Sequence, residues 1–323
     1  MSALLVVRPS SLGDIVHALA LCADVERARP GVAVDWVAEE GFAELPGLHA
    51  GVRRVIPVAL RRWRAALLSA ATWREFRRFR HDVRREPYTG VLDLQEQMKG
   101  AVLARIARGP RHGLHRASIR EPVATLLHDV HHRVPRDIHF ISKARALAAA
   151  TLGYEVSGPP RWRWRVPATA DALPERPYVV ALTATSRAAK LWPDEGWRAL
   201  IAEVTRAGFI AVLPWGSPDE HARCQRIAGN HAEVIVPPRQ SLSELATLLS
   251  RAELVAGVDT GLTHFAAALG TPTLALFTET DPKLAGVGIC GPQALDLGGN
   301  GRVPTAEEAL AAAGTLYKRA PHC

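Results

Sequence analysis

Two short loops hold residues suited to chemistry on an anionic substrate. The first reads Arg8-Pro9-Ser10-Ser11-Leu12-Gly13-Asp14 and lies between an apolar run at 4–7 and a helical pattern that starts at 15. The second reads Asp259-Thr260-Gly261-Leu262-Thr263-His264 and lies between 254–258 and 265–269. Each has the order strand, tight glycine turn, helix. That order aims backbone N–H groups and the positive end of a helix dipole at whatever sits beyond the strand. Asp14 at a helix start has two readings. It is a base able to take a proton at neutral pH, or a first-turn charge that compensates the dipole. Thr260, Gly261, Leu262 and Thr263 offer N–H groups and two hydroxyls, which suits a phosphate cradle or, equally, a plain capped helix. An anion beside a phosphate costs energy, so Asp259 suits capping the helix or orienting a threonine or His264.

Two further loops follow strand-like runs. Thr183-x-Thr185-Ser186-Arg187-x-x-Lys190-x-Trp192-Pro193 comes after 178–182. Lys190 there is a phosphate contact or an ordinary solvated lysine. At about 4 Å such a contact is worth at most about 4 kcal/mol for an effective dielectric near 20. Trp192 and Pro193 read as structural. In Leu213-Pro214-Trp215-Gly216-Ser217-Pro218-Asp219-Glu220, Glu220 is either an acceptor for a ribose or sugar hydroxyl or a first-turn helix acid. Neither G-x-G-x-x-G after the first strand nor G-x-x-x-x-G-K-[ST] is present, which argues against a dinucleotide oxidoreductase or a P-loop kinase. His128, His131 and His132 do not match a zinc spacing, and Asp93-Leu94-Gln95 is the nearest approach to a Mg²⁺-binding D-x-D, so no metal is expected.

The elements that must position these loops alternate along the chain. Strand patterns at 4–7, 32–37, 54–58, 90–94 and 109–114 are separated by helical ones at 15–29, 66–85 and 98–107. Residues 120–152 read as two helices broken at Pro135. The Pro-, Arg- and Trp-rich stretch 157–177 reads as a linker. Strand patterns resume at 178–182, 210–213, 234–236, 254–258 and 273–277, with helices between. A Thr305-x-x-Glu308 capping box starts an alanine-rich helix at 305–319. The fold class expected is α/β, with two doubly wound parallel sheets whose ligands lie beyond the strands' carboxyl ends. The domains are 1–160 and 161–304, followed by a C-terminal helix in 305–323 able to cross back to the first domain.

Size and charge bound the function. A chain of 323 residues, 48% hydrophobic, suits about two domains. Mean hydropathy is near zero, and no apolar run approaches the ~20 residues of a membrane span. The N-terminus shows no basic, cleavable leader pattern, so a cytoplasmic protein is expected. Cys22, Cys224, Cys290 and Cys323 are scattered, which suits a reducing compartment. Net charge is +8. Residues 1–160 hold 24 Lys+Arg against 16 Asp+Glu, whereas 161–323 hold 16 of each. Eleven arginines against Glu75 and Asp82 fall within 53–85, a segment that should face something anionic. Trp63, Trp73, Phe76 and Phe79 interleave them, so a non-catalytic nucleic-acid-binding protein that stacks bases on those rings is the rival class.

The two loops at 8–14 and 258–264, Lys190-x-Trp192-Pro193 and 213–216 together resemble the lipopolysaccharide heptosyltransferase family, glycosyltransferase family 9, over nearly the whole chain. Segments 35–42 and 61–64 resemble its type I members, which add the first inner-core heptose. The resemblance implies a GT-B architecture of two Rossmann-like domains facing a central cleft. It implies an inverting, metal-independent transferase with ADP-heptose as donor substrate, no cofactor, and an acceptor sugar of Kdo2-lipid A. A family member with another inner-core acceptor is the alternative. Carried over by position, Asp14 is the base, with Ser11 and Gly13 beside the acceptor. Thr185, Ser186, Lys190, Glu220, Asp259, Thr260, Gly261 and His264 contact the donor. Lys190 also acts in catalysis, and Arg61, Arg62, Arg64 and Arg120 face the acceptor. The implied partners are the two substrates and the anionic cytoplasmic face of the inner membrane, with no nucleic acid. The chain departs from the family at Glu96-Gln97, where glycine usually follows Asp-x-Gln, and at Glu279-Thr280-Asp281-Pro282.

Overall fold

The computed structural model describes residues 2–168 and 173–317. Cys323, and residues 318 and 319 of the expected last helix, lie outside the described residues. The chain forms two compact units, Met1–Arg165 and Val166–Cys323.

The first unit is built on six strands: β1 Ala3–Val7, β2 Ala33–Glu39, β3 Val52–Val58, β4 Gly90–Asp93, β5 Arg111–Leu114 and β6 Val130–His132. All pairings are parallel, in the order β3-β2-β1-β4-β5-β6. β1 is buried along its whole length, which is why it reads as a continuous apolar run rather than an alternating one. The second unit repeats the plan with β7 Tyr178–Leu182, β8 Ile210–Val212, β9 Val234–Ile235, β10 Leu254–Val258, β11 Thr273–Phe277 and β12 Ala294–Gly298. Its order is β12-β11-β10-β7-β8-β9, again all parallel. Counted within each unit, both sheets run 3-2-1-4-5-6, the doubly wound nucleotide-binding order, in which the strand sequence reverses direction between the first and fourth strands. In the two units that switch point falls between β1 and β4, and between β7 and β10.

Helices cover the sheets by burying one face. Trp197, Leu200, Ile201 and Val204 of helix Asp194–Arg206 join Trp192 and the strand residues in the second core. There Gly196 lets the Trp192 ring approach: a Cβ at 196 would stand 2.7 Å from it. The last helix, described over Ala306–Tyr317, buries Ala309, Ala313 and Leu316 in the same core.

Several expected elements differ. Residues 120–152 hold a 3₁₀ turn at Pro122–Leu127, then strand β6, then one helix at Phe140–Leu152. The polar Val-His-His run becomes a strand only because β5 pairs with it. The helix expected at 66–85 starts at Ala70, where Ser69 caps it, and a separate helix Leu60–Ala65 precedes it. The linker expected at 157–177 is in its early part a piece of the first unit. Ala50 N donates to Arg163 O (2.7 Å) and Arg165 N to Leu48 O (2.7 Å). Among the described residues, no helix is long and apolar enough to cross a membrane.

Candidate active site

In the first unit the loop after β1 turns directly into helix Leu12–Leu19, with Ser11 as its N-cap. Asp14 folds back on that turn. Its Oδ2 accepts hydrogen bonds from Ser11 N (2.9 Å) and Ser11 Oγ (2.8 Å), and its Oδ1 stands 2.7 Å from Arg8 Nη2. Burial pushes the Asp14 carboxyl up, but the Arg8 cation and the Ser11 donors outweigh it and bring the pKa to about 2. Asp14 is therefore a carboxylate at neutral pH, and its helix-terminal role is realised in full. A third of its side chain stays exposed, facing a cavity of about 330 Å³ walled in part by His17, Arg120, Arg136 and Lys143. Every wall residue belongs to the first unit, and cations outnumber carboxylates.

The loop after β4 forms the adjoining wall. Asp93 is buried, with Oδ2 3.0 Å from His128 Nε2 and Oδ1 accepting from Gln95 N (2.8 Å). Asp93 thus shapes the loop, and His128 serves Asp93. Glu96, the position where the sequence departs from the resemblance, adopts φ 59°, the left-handed region that glycine enters most easily. Its carboxylate pairs with Lys143 Nζ at 2.7 Å across the cavity wall. Lys99 donates to Ser10 Oγ (3.3 Å); burial, then repulsion from Arg8 and Arg61, pushes its ammonium pKa down. Arg8 and Lys99 were absent from the residues singled out in sequence, although Arg8 stands within the first loop.

The arginines are not one free face. Arg53 and Arg54 both bind Asp35, in a cluster that includes Glu86 and Tyr88. Arg62 is held by Glu40 (2.9 Å) and Glu75 (2.8 Å). It ties its helix to its neighbours, so part of its charge is met within the first unit. Arg61 stands over the Phe42 ring (6.0 Å to the centroid) and Arg64 is exposed. Arg120 alone of the four expected acceptor arginines lines the Asp14 cavity. The stacking platform of the nucleic-acid reading is also corrected. Trp63 and Phe79 are buried in the first core with Phe76 packed on them, because an amphipathic helix must cover β3.

In the second unit the loops after β7 and β10 meet at the equivalent edge. Lys190 Nζ is 2.6 Å from Asp259 Oδ2, His264 Nε2 is 3.3 Å from Asp259 Oδ1, and Thr185 Oγ1 donates to Asp259 O (3.1 Å). Burial raises the Asp259 carboxyl pKa, but hydrogen bonds from His264, Lys190 and Thr280 prevail and hold it well below the usual carboxylate range. Of the roles open to Asp259, orienting His264 and orienting a threonine, Thr280, are observed, joined by holding Lys190. The cap is Thr260, at the start of helix Gly261–Leu269. Thr263 donates from Oγ1 to Val258 O (2.7 Å) and from N to Thr260 O (3.1 Å), which leaves the cradle with the N–H groups at 260–262 and Thr260. Ser186 is exposed beside Thr185. Glu220 Oε2 accepts from Gly216 N (2.7 Å) and Ser217 N (3.2 Å), so its capping reading is made by helix Pro218–Ala228. The loop after β11 braces the lysine turn: Thr278 Oγ1 donates to Ala189 O (2.6 Å), and Arg187 pairs with Glu279 (3.2 Å). Thr278 and Thr280 were missed because only the packing of the loop after β11 brings Thr278 to Ala189 and Thr280 to Asp259.

Paired Rossmann-like units carrying a carboxylate edge and a lysine–threonine edge define an α/β glycosyltransferase of GT-B architecture, and solved structures agree. The chain matches E. coli heptosyltransferase WaaC with ADP at TM-score 0.86 and 37% identity, covering 98% of this chain and 99% of that one. The same enzyme with ADP-2-deoxy-2-fluoro heptose gives 0.83 with the same coverage. The model of glycosyltransferase family 9 (heptosyltransferase) matches residues 76–295, and the chain belongs to that family. Lipopolysaccharide heptosyltransferase 1 of Escherichia coli K12 is 41% identical over 87% of this chain and 89% of the relative. That of Pseudomonas aeruginosa is 41% identical over 87% and 80%.

Proposed function

We propose that this heptosyltransferase moves L-glycero-D-manno-heptose from ADP-heptose to a Kdo sugar of Kdo2-lipid A, with inversion at the anomeric carbon. One observation carries the reading: an ionised Asp14 looks into a cavity that Arg8, Arg120, Arg136 and Lys143 make cationic. A carboxylate among cations suits a base whose substrate is itself anionic, since the acidic sugar would meet the arginines while a hydroxyl meets Asp14.

Asp14 accepts the proton of the attacking hydroxyl as the new C–O bond forms on the face opposite the diphosphate, and ADP leaves with the electrons of the broken bond. A carboxylate of low pKa suffices because the hydroxyl becomes strongly acidic only as that bond forms. On the donor side an ammonium has three donors, and Asp259 uses one of those on Lys190. The other two, with the N–H groups at 260–262, the Thr260 hydroxyl and Ser186, meet the growing charge on the leaving diphosphate, while the Thr185 hydroxyl braces that loop through Asp259 O. This is preorganised electrostatic stabilisation, with fixed dipoles and a positioned cation. The exposed arginines of the first unit would also draw the protein to an anionic membrane surface, at about 1 kcal/mol for each basic group near it.

The test is an acceptor assay with ADP-heptose, read by product mass. Transfer to Kdo2-lipid A, with little to an acceptor already carrying heptose, is expected. Transfer only to the heptose-bearing acceptor would assign the chain to another inner-core step.

A further inference from the structure

The tip formed by residues 66–73 presents apolar side chains to solvent on a well-built scaffold. Leu67 is 60% exposed, Leu68 fully exposed and Trp73 51% exposed. The tip is ordered by its own bonds: Ser69 N donates to Ala66 O (3.0 Å), Ser69 Oγ accepts from Ala71 N (3.2 Å), and Trp73 Nε1 donates to Leu67 O (2.9 Å). Beneath it, Trp63 packs edge-on against Phe76 and Phe79, and the Trp63 indole donates to Glu75 (2.8 Å). The leucines therefore point outward from a turn that packing has fixed, where folding gains nothing from their apolar character.

Around this tip lie Arg61, Arg64, Arg74, Arg77 and Arg78, all exposed, and among the described residues none of the five stands in an ion pair. Helix Leu60–Ala65 follows the carboxyl end of β3, and Arg61 is close enough to Lys99 to depress its pKa, as Arg8 and Asp14 also act on it. The tip is therefore on the same edge of the first sheet as the Asp14 cavity. A convex, two-leucine tip with a tryptophan beside it and unpaired guanidinium groups around it fits an anionic lipid surface. The leucines enter the acyl boundary, the indole lies at the headgroups, and the arginines meet phosphates. Charge and apolar contact together are the two signals that stable peripheral anchoring needs.

We propose that Leu67, Leu68 and Trp73 form a membrane-inserting wedge that seats the first unit on an anionic bilayer. The inference deepens the proposed function, since an acceptor anchored in that bilayer is then presented to the edge that holds Asp14.

The test measures partition of the full chain onto phosphatidylcholine vesicles with and without 30% phosphatidylglycerol, alongside transfer to a water-soluble, deacylated Kdo-bearing acceptor. The wild type should bind the anionic vesicles. The Leu67→Ser/Leu68→Ser variant should bind them at least tenfold more weakly and keep its rate on the soluble acceptor. Brominated acyl chains should quench part of the wild-type tryptophan fluorescence, and Trp73→Phe should remove that part. Unchanged partition of the double variant, or absence of quenching, would overturn the wedge, with charge alone then explaining attraction. So would loss of rate on the soluble acceptor, which would make the tip an acceptor contact. Conversion of a dimer to a monomer by the double substitution, without a vesicle effect, would overturn it in favour of a second copy of this chain. Lack of transfer to any Kdo-bearing acceptor by the wild type would instead strike the proposed function, because partition is read without catalysis.

Discussion

Lys190 and Asp259, 69 residues apart in sequence, stand 2.6 Å from each other at the carboxyl edge of the second sheet. The pair joins the loop after β7 to the loop after β10 across the point where strand order reverses. Asp259 fixes where the ammonium stands, and His264 and Thr280 fix Asp259. The anion beside the cradle is thus a positioning group for a cation.

Asp259→Asn should cost about 2–4 kcal/mol, because a mostly buried ammonium loses its counter-charge. It should also raise donor KM. Denaturant titration and donor-dependent kinetics check this. The acid dependence has a definite sign. The folded protein holds Asp259 below its ordinary 3.8, so the pair's stabilisation is complete above that pH. It is lost as pH falls through the lower folded value.

Arg8→Met should shift the acid limb of kcat/KM upward. In the wild type Asp14 stays ionised down to about pH 2. Without the Arg8 cation, burial is opposed only by the Ser11 donors and His17, so the carboxyl protonates at higher pH. A pH–rate profile whose acid limb stays in place would show that Arg8 does not tune Asp14.

Arg61→Glu and Arg64→Glu together should raise acceptor KM far more than donor KM, since both side chains are exposed and unpaired. Arg62→Ala should act differently. It removes the links to Glu40 and Glu75 and should lower the thermal midpoint more than Arg64→Ala does. Equal effects on both substrates from the first variant would contradict the division.

Glu96 separates backbone strain from charge. Glu96→Ala loses the Lys143 pair and keeps the φ of 59°. Glu96→Gly loses the pair but suits that conformation, so it should be more stable than the alanine variant by about 1 kcal/mol. Chemical denaturation of the two variants decides it.

Much of this architecture was legible because buried parallel strands leave an unmistakable trace. The runs at 4–7, 178–182, 254–258 and 273–277 are apolar on both faces and end in turn residues, and each became a strand. β6 left no such trace, since a three-residue edge strand of Val and two His owes its form to its neighbour. The loops were legible as candidates, but what their residues touch was not. Glu220 and Asp14 both satisfy their own helix turns, which local spacing suggests. Lys190 reaching Asp259, Arg62 reaching Glu40 and Glu75, and Thr280 reaching Asp259 depend on strand adjacency that no short segment encodes. Lys99 reaching Ser10 was overlooked for the same reason, whereas the Arg8–Asp14 pair lies within one loop.

Heptose transfer as proposed depends on Asp14 as the proton acceptor. The direct measurement is kcat of Asp14→Asn with ADP-heptose and Kdo2-lipid A, made alongside ADP affinity by calorimetry. The amide keeps the size of the side chain and one acceptor for Ser11 but cannot take the proton, so kcat should fall by about 10²–10⁴-fold while ADP binds as in the wild type. A variant that turns over within a few-fold of the wild type would remove Asp14 from the chemistry and leave it only the helix turn it caps.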